Sequence, residues 1–365
     1  MSERTQEAGQ AGGQPSAAAD ADAGKVTIYD VAAASGFSPS TVSRTFSRPD
    51  RVSIATAQKV EEVANRLGYH SQLVGTRPAK DKGLVAVVVP DIGNQFFTGI
   101  IRNIQDACDK HGMNVMVLET RESATKERKT VDQVAPLVAG IILISSRMPD
   151  AMIRKCAQLR PLVCVNRDVR GVPGISIDVP AGARQAVDHL YRLGYRSISY
   201  LDGPATSWSG GLRWREIVKQ GEAKGMAVWR SQPFAPTFYG GYTFAEQYLK
   251  NPSGALIAHN DLMAIGFIAA MRHYGFRCPE DISVIGFDND MMSMISNPPL
   301  TTIHMSLSSL GSFAAQLLFQ RLAGAHVQQL NDSSIPSLVP ARLIVRQSTG
   351  PASHRARPSA QPVGA

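Results

Sequence analysis

The chain has 365 residues, of which 44% are hydrophobic and 19% are charged. At roughly 150 residues per domain this length predicts two to three domains, and the composition is too apolar for a chain disordered throughout. Basic residues exceed acidic ones by a net charge of +8, which favours polyanionic partners. The excess lies in two stretches, 25–82 and 342–365, so the positive charge sits towards both ends of the chain.

Cysteine usage and hydrophobic runs exclude several classes of protein. The four cysteines are far apart and have no metal-ligand spacing, so we expect neither a disulfide scaffold nor a structural zinc site. No run approaches 18 apolar residues, and the N-terminus lacks the basic start and apolar core of a secretory signal. We therefore expect a cytoplasmic protein. No phosphate-binding glycine motif is present, and we expect no cofactor and no bound metal.

Three short helices are predicted first along the chain. The first begins at a capping box, in which Thr27 and Asp30 satisfy each other's backbone groups, and it ends at Gly36. The second covers Ser38–Ser47, with a serine cap followed by a proline at the first helical position. The third covers Ser53–Leu67 and also begins at a serine cap.

Two short helices joined by a glycine-containing turn and followed by a third are typical of a helix-turn-helix DNA-binding domain. The second helix carries Ser40, Thr41 and Arg44 on its outer face, while Val42 and Phe46 can pack inwards. Short hydroxyl side chains near the start of a recognition helix and a longer donor one turn later suit contact with DNA. A small capped bundle with another role is the alternative interpretation.

From residue 84 onwards, short apolar runs alternate with amphipathic helical stretches. Each run is continuous and rich in β-branched residues, as expected for a strand buried on both faces of a parallel sheet. The runs are Leu84–Pro90, Asn114–Glu119, Gly140–Ser145, Leu162–Val165, Ser197–Asp202, Ala255–Ala258 and Ile282–Asp288. The helical stretches include Gly99–His111, Ala181–Leu193 and Leu262–Tyr274. This alternation predicts two α/β lobes with parallel sheets and helices on both faces, and ligands of such sheets bind at the carboxyl ends of the strands.

The helical segment also carries four ordered strings: Val26–Ala32, Ala34–Ser38, Ser40–Arg44 and the closing Leu67–Tyr69. On these strings it closely resembles the DNA-binding module of the LacI/GalR repressor family. The resemblance implies that Pro39 and Ser40 discriminate between operators and that Arg44 makes a further base or phosphate contact. The candidate DNA contacts are Thr27, Tyr29, Ser38, Pro39, Ser40, Thr41, Ser43, Arg44 and Arg77.

The segment after this module departs from the family pattern. Family members usually continue with a string like Ala-Arg-Ser-Leu-Arg, a hinge helix whose leucine wedges into the minor groove. Here Gly75–Ala79 takes this place, and Pro78 stands where the leucine is expected. Proline inside a helix loses a hydrogen bond and clashes with the preceding turn, so either the hinge helix stops short or the operator is bent differently. Arg77, Lys80 and Lys82 can still follow the phosphates.

Four further strings extend the resemblance over most of the remaining chain: Pro90–Phe97, Asn260–Gly266, Pro279–Asp288 and Pro298–Ile303. They imply the fold of periplasmic sugar-binding proteins, in which two α/β lobes close on a small ligand. A sugar requires aromatic faces for its C–H surface and charged or amide groups for its hydroxyls. The candidate effector contacts are Asp91, Phe96, Phe97, Ser145, Arg167, Trp208, Arg213, Phe238, Asn260 and Asp288.

The predicted organisation is a helix-turn-helix domain over 25–70, a hinge over 71–83 and an effector-binding core over 84–347, with disordered tails at 1–24 and 348–365. Within the core we expect lobe one at 84–178 plus 305–324, and lobe two at 179–304 plus 325–347. We also expect a homodimer on a palindromic double-stranded operator, because two recognition helices must reach half-sites about one turn apart. A sugar or sugar acid is the expected effector, and a nucleoside suits the same residue types.

Two other classes of protein fit less of the sequence. A solute receptor that feeds a transporter needs export, and the chain offers no signal peptide. An enzyme on an α/β scaffold needs a nucleophile elbow, a phosphate loop or paired metal ligands, and these motifs are missing. We therefore expect a regulator and no enzyme. His259 is the one histidine in a predicted site loop, where it either lines the ligand site or packs.

Overall fold

The computed structural model describes residues 26–47, 51–67, 69, 83–325 and 337–352. They belong to two compact units that divide between residues 77 and 78. In these ranges no helix is long and apolar enough to cross a membrane. Arg77 and Pro78, on which the hinge prediction rests, lie outside the described residues.

The N-terminal unit consists of the helices α1 (Ile28–Ser35), α2 (Pro39–Ser47) and α3 (Ile54–Leu67). The predicted capping box of α1 is confirmed, since the Thr27 hydroxyl accepts from the Asp30 amide at 3.4 Å and the Asp30 carboxylate accepts from the Thr27 amide at 2.7 Å. Gly36 ends the helix with a left-handed φ of 75°, as predicted. The helices enclose a small core of Val31, Ala32, Val42, Val60, Val63 and Ala64.

Lobe one contains a six-stranded parallel sheet. Its strands are β1 (Leu84–Val89), β2 (Asn114–Glu119), β3 (Gly140–Ile144), β4 (Leu162–Val165), β5 (Gly174–Ile177) and β11 (Leu338–Val339). Their order is β11-β5-β4-β3-β1-β2. The helices that pack on this sheet are α4 (Gln95–Asp109), α5 (Ala124–Val134), α6 (Asp150–Leu159) and α12 (Leu307–Leu322). Because helices cover the sheet, its central strands β3 and β4 are buried along their whole length.

Lobe two contains a second six-stranded sheet of order β12-β10-β9-β8-β6-β7. Its strands are β6 (Ser197–Leu201), β7 (Ala227–Arg230), β8 (Ala255–Ala258), β9 (Ser283–Asp288), β10 (Thr301–Met305) and β12 (Ala341–Ile344). The strands pair in parallel except for β12, which runs antiparallel to β10. The helices of this lobe are α7 (Val179–Arg192), α8 (Trp208–Ala223), α9 (Phe238–Lys250), α10 (Asp261–His273) and α11 (Met291–Ile295).

Within the residues that the structure describes, the chain crosses between the two lobes three times. It enters lobe two after β5 at Asp178, returns to lobe one at Ser306 ahead of α12, and crosses again at Pro340 between β11 and β12. One hydrophobic cluster runs through these crossings, because it includes Met305 and Val339 together with core side chains of both sheets. The lobes therefore share apolar packing at the crossings.

All of the predicted apolar runs form strands, but β5, β7, β10, β11 and β12 are not predicted by such runs. Strand β7 lies at a sheet edge and is mostly exposed, so its sequence has no reason to be continuously apolar. Strand β10 begins with two buried threonines, and the Thr302 hydroxyl donates to the Asp261 carboxylate at 2.5 Å. Hydrogen bonding lets these polar side chains occupy a buried strand.

Two predicted boundaries differ from the structure. Strand β11 pairs with β5, so the segment 325–347 does not lie wholly in lobe two. The predicted tail begins too early, because residues 348–352 pack against lobe two. The Ser348 hydroxyl is fully buried and donates to the Val284 carbonyl at 2.6 Å, while the Gly350 amide donates to the Ser283 hydroxyl at 3.0 Å.

Candidate effector cleft and DNA-binding helix

A cavity of about 360 Å³, including the solvent at its mouth, lies between the carboxyl ends of the two sheets. Parallel strands bring their carboxyl ends to one edge, which is where the loops of α/β sheets bind ligands. Lobe one contributes Asn94, Phe96, Phe97, Glu122, Ser145, Arg147 and Asn166 to its lining. Lobe two contributes Ser207, Ser209, Arg213, Pro236, His259, Asn260 and Asp288.

The lobe one wall is organised around Arg147, whose guanidinium pairs with the Glu122 carboxylate through Nε and Nη2. Its Nη1 atom donates to the Ser145 carbonyl at 2.8 Å, and its backbone amide donates to the buried Glu127 carboxylate at 2.8 Å. The Asn166 side-chain amide donates to the Ser145 hydroxyl at 2.9 Å. Asn166 Oδ1 is buried and has no hydrogen-bond partner among the described residues, so this wall offers one unused acceptor.

The lobe two wall is organised around Arg213, which is buried in α8. Its Nη1 atom donates to the His259 carbonyl at 2.6 Å, and its guanidinium lies 4.4 Å from the centre of the Phe287 ring. Arg213 Nε is buried without a hydrogen-bond partner in the described part of the chain. This wall therefore holds an unused donor, as the lobe one wall holds the unused acceptor of Asn166.

Two titratable groups of this wall are shifted towards their neutral forms. Burial raises the pKa of Asp288 to about 8, although the positive charge of Arg213 opposes the rise and the Asp290 carboxylate adds to it. Burial lowers the pKa of His259 well below its usual value, and the charges of Arg213 and Arg147 lower it further. At neutral pH the cavity therefore presents a largely protonated carboxyl and an uncharged imidazole.

Asn260 of this wall and its neighbour Asp261, which does not line the cavity, use their polar atoms within the fold. Asn260 accepts from the Met263 amide at 2.9 Å as the cap of α10, and it donates to the Pro236 carbonyl at 3.0 Å. The fully buried Asp261 accepts from the Thr302 hydroxyl and from the Asp290 amide. These two residues fix the loops after β8 and β9 in place.

Backbone strain is concentrated around the cavity. In the described ranges, the residues other than glycine with positive φ are Arg121, Glu122, Ser145, Asn166, Asp288 and Asn289. They lie just after β2, β3 and β4 and at the end of β9. Such conformations cost on the order of 1–3 kcal/mol each and cluster at functional sites. The geometry thus marks the same strand ends that line the cavity.

The structure brings together Phe96, Phe97, Ser145, Arg213, Asn260 and Asp288 from the predicted effector contacts. The two phenylalanines are buried and their rings meet edge to face at 5.1 Å. Glu216, close to Arg213 on α8, pairs with Arg184 at 3.3 Å.

Four predicted contacts do not line the cavity. Asp91 accepts from the Gly93 amide at 2.7 Å within its own turn. Arg167 pairs with Asp150 at 2.6 Å. Its guanidinium also lies 5.5 Å from the centre of the Trp208 ring, so the predicted contacts Arg167 and Trp208 lie against each other. The last of the four, Phe238, is 37% exposed on α9, where its ring stacks on Tyr242 at 6.2 Å.

Several lining residues are absent from the predicted set. Asn166 is the first residue after β4 and immediately precedes the predicted Arg167. The exact end of the strand therefore decides which of the two residues lines the cavity. His259 lies in a predicted site loop. Glu122 and Arg147 carry no sequence signal, because they come from loops without a motif and meet only in the folded lobe.

The candidate DNA contacts in the described residues lie at the surface of the N-terminal unit. Ser40 and Arg44 are exposed on α2, while Val42 on the opposite face is fully buried. The Ser38 hydroxyl accepts from the Thr41 amide at 3.2 Å, which confirms the predicted cap. The other exposed candidates are Thr27, Tyr29, Ser38, Pro39 and Ser43, whereas Thr41 is half-buried. The remaining candidate, Arg77, falls outside the described residues.

Comparison with known sequences matches both units. Residues 27–72 match the profile of bacterial regulatory proteins of the lacI family, and residues 187–349 match a periplasmic binding protein-like domain. The HTH-type transcriptional repressor CytR of Escherichia coli K12 is 33% identical over 333 residues, which is 88% of this chain and 96% of that protein.

Comparison with solved structures gives the same architecture. The lac repressor dimer bound to operator and the anti-inducer ONPF is 27% identical, with a TM-score of 0.66 over 89% of this chain and 99% of that one. The transcriptional regulator CelR in complex with cellobiose is 26% identical, with a TM-score of 0.64 over 89% of this chain and 100% of that one. These similarities cover both the N-terminal helices and the two-lobed core.

Proposed function

Because the chain belongs to the LacI family of bacterial regulatory proteins, we propose that it is a repressor whose operator affinity is set by a small polyhydroxylated effector in the cleft. The observation that carries this proposal is that two residues of the cavity lining, Asn166 and Arg213, each hold a buried polar atom, Oδ1 and Nε, without a hydrogen-bond partner among the described residues. Buried polar groups are almost always hydrogen-bonded, so unused ones at a cavity favour a ligand that completes them.

The chemistry of these atoms favours a hydroxyl-bearing effector. Asn166 Oδ1 needs a donor and Arg213 Nε needs an acceptor. A hydroxyl group can serve as both, and a sugar presents several hydroxyls on a compact ring. Phe97 adds an aromatic surface to the lining, which suits the C–H face of a sugar. A sugar or sugar acid is therefore the proposed effector, and Ser145, Asn260 and Asp288 complete the proposed site.

On the DNA side, we assign base discrimination to Pro39 and Ser40, with Arg44 as a further base or phosphate contact. Thr27, Tyr29, Ser38, Thr41 and Ser43 are assigned to phosphates. Their support is the exposed face of α2, because a recognition helix reads base edges in the major groove with the residues near its N-terminus. Binding to chromosomal DNA places the protein in the cytoplasm.

The proposed active form is a homodimer on a palindromic operator, with one recognition helix for each half-site. Helix α11 supports this, because Met291, Met294 and Ile295 are each more than half exposed. Val345 is also exposed, and its neighbour Arg346 donates to Ser293 of α11 at 3.3 Å. A second copy of the chain is the partner that we propose for this apolar surface, and the similar lac repressor structure is that of a dimer.

DNase footprinting on the promoter beside its own gene tests the proposal, with D-ribose, cellobiose and cytidine as probes. We expect a protected palindrome, and we expect an effector to change the operator Kd by about 5- to 150-fold. Absence of any protected palindrome would reject the DNA-binding part. Protection that no sugar alters, together with no sugar-induced rise in Tm, would reject the sugar effector.

A further inference from the structure

His259 lies in the lobe two wall with its ring held on three sides. Its Nδ1 atom lies 3.4 Å from the Tyr200 hydroxyl oxygen. A Cβ atom on Gly203 would lie 2.5 Å from His259 Cδ2, and one on Gly210 would lie 3.0 Å from His259 Cε1. Any side chain larger than that of glycine at position 203 would clash with the imidazole ring, so the ring occupies space that only a glycine leaves free. Nε2 is the ring nitrogen that takes no part in these contacts.

The hydrogen bond with Tyr200 fixes which ring nitrogen carries the proton. Tyr200 is fully buried, and burial raises the pKa of its phenol, so the hydroxyl keeps its proton. Among the described residues, His259 Nδ1 is the one acceptor that a hydrogen bond places beside this hydroxyl, and a buried hydroxyl proton without an acceptor is costly. The phenolic proton is therefore directed to His259 Nδ1, which must accept it. In a neutral imidazole the other nitrogen, Nε2, then carries the hydrogen.

His259 Nε2 has no hydrogen-bond partner among the described residues. The residue lines the cavity, and among the described residues the hydrogen bonds of His259 involve its backbone and Nδ1, not Nε2. The charged groups that face the ring are Arg213 from α8 and Arg147 from lobe one, and both disfavour a second proton on it. The cavity therefore contains an uncharged N–H donor whose direction is set by the fold.

We propose that His259 selects the effector by donating Nε2–H to an effector oxygen, and that Tyr200 is a positioning residue that holds the ring in this tautomer. The inference rests on the proposed function, because it names a donor of the same site. After Asn166 Oδ1 and Arg213 Nε, His259 Nε2 is then the third atom to which the ligand would form a hydrogen bond. The inference also explains the space left at Gly203.

Paired substitutions of His259 test the donor. A glutamine amide nitrogen reaches the place of Nε2, whereas an asparagine amide nitrogen reaches that of Nδ1. With D-ribose and cellobiose as probes in calorimetry on the full chain, we expect His259→Gln to stay within about threefold of the wild-type Kd. We expect His259→Asn to weaken it about tenfold. His189→Gln is the matched control, because His189 bonds Thr349 and does not line the cavity.

The tautomer is tested by ¹⁵N–¹H spectra of histidine-labelled full-length protein, without any sugar. We expect the His259 proton on Nε2 throughout the range from about pH 6 to 8, and we expect Tyr200→Phe to introduce the Nδ1–H form. Tyr200→Phe keeps the ring stacked on Trp214, so it provides a second test if the His259 variants do not fold. A wild-type proton on Nδ1, or a doubly protonated ring near pH 7, would overturn the inference.

The outcomes separate this inference from the proposed function. If a sugar binds the wild type and His259→Asn equally well, the donor role of His259 is rejected while the sugar effector stands. If no sugar raises the Tm of the wild type, the sugar effector is rejected, and the donor role of His259 with it. Weaker sugar binding in His259→Asn but not in His259→Gln, together with a wild-type Nε2–H tautomer, supports both the donor role of His259 and the sugar effector.

Discussion

On α2 the candidate DNA contacts Ser40 and Arg44 are exposed to solvent, whereas six of the ten candidate effector contacts line a cavity between two lobes. Exposed donors such as Arg44 suit a charged, hydrated partner that they meet at the surface. In the cavity, Arg213 and Asn166 are already partly bonded to the protein, and each keeps one buried atom unused. A ligand that fails to complete such an atom forfeits a hydrogen bond and leaves a desolvated group, at a cost of about 1–3 kcal/mol. The two regions thus select their partners in different ways.

The largest expected effect tests whether the two regions act separately. Arg44→Ala removes an exposed donor from α2, so we expect operator affinity to fall about 10- to 100-fold in a band-shift titration. The increase in Tm caused by a sugar should not change, because Arg44 belongs to the N-terminal unit. Arg66→Ala, an exposed arginine on α3, is the matched control and should alter operator affinity by less than about threefold. Equal loss of DNA and sugar binding in Arg44→Ala would contradict separate action.

A smaller effect tests how burial acts on the cavity wall. Asp288 keeps its proton in the folded chain up to about pH 8 but loses it near its usual pKa of 3.8 when unfolded. Rising pH between these values therefore destabilises the wild type, by at most about 1.4 kcal/mol for each pH unit. Asp288→Asn replaces the carboxyl by a side chain that does not titrate. The difference in Tm between the variant and the wild type should therefore increase by about 2–4 °C per pH unit from pH 5 to 8.

The control for this measurement is Asp106→Asn, since Asp106 is exposed on α4. Its melting curve should follow the wild type at every pH. Parallel Tm profiles of Asp288→Asn and the wild type between pH 5 and 8 would show that the Asp288 carboxyl is ionised in the folded state, contrary to its burial.

The smallest expected effect concerns an aromatic residue of α9. Phe238→Ala should change the Kd of a bound sugar by less than about twofold, because the exposed ring stacks on Tyr242 outside the cavity. Phe97→Leu keeps an apolar side chain in the lining but removes the aromatic face, and we expect it to weaken binding about three- to tenfold. A larger loss in Phe238→Ala than in Phe97→Leu would place Phe238 in the site.

The N-terminal unit could be predicted closely because its signals are local. The capping box of Thr27 and Asp30 spans one helical turn, and the left-handed Gly36 follows directly from the residue type. The inward and outward faces of α2 follow from helical periodicity, which places Val42 in the core and Arg44 at the surface. No distant residue competes for these positions.

The cavity could be predicted only in part, because distant residues decide which side chains remain available. Arg167 follows a strand end, as predicted, but its Nη2 atom pairs with Asp150 on α6 and its guanidinium lies against the Trp208 ring, away from the cavity lining. Asn260 lies at the cavity, yet the cap of α10 and the Pro236 carbonyl use its amide. Such competition depends on the fold and leaves no trace in the spacing of residues.

The three crossings between the lobes have a consequence for the order in which the protein can be completed during synthesis. Lobe one needs α12 and β11, which the chain supplies only after most of lobe two, and lobe two needs β12, which follows β11 directly. Until residue 339 is made, the edge of β5 that faces away from β4 lacks β11, its partner among the described strands, and an unpaired edge invites pairing with another molecule. Both sheets are thus finished within the same few residues, so neither lobe can mature on the ribosome ahead of the other.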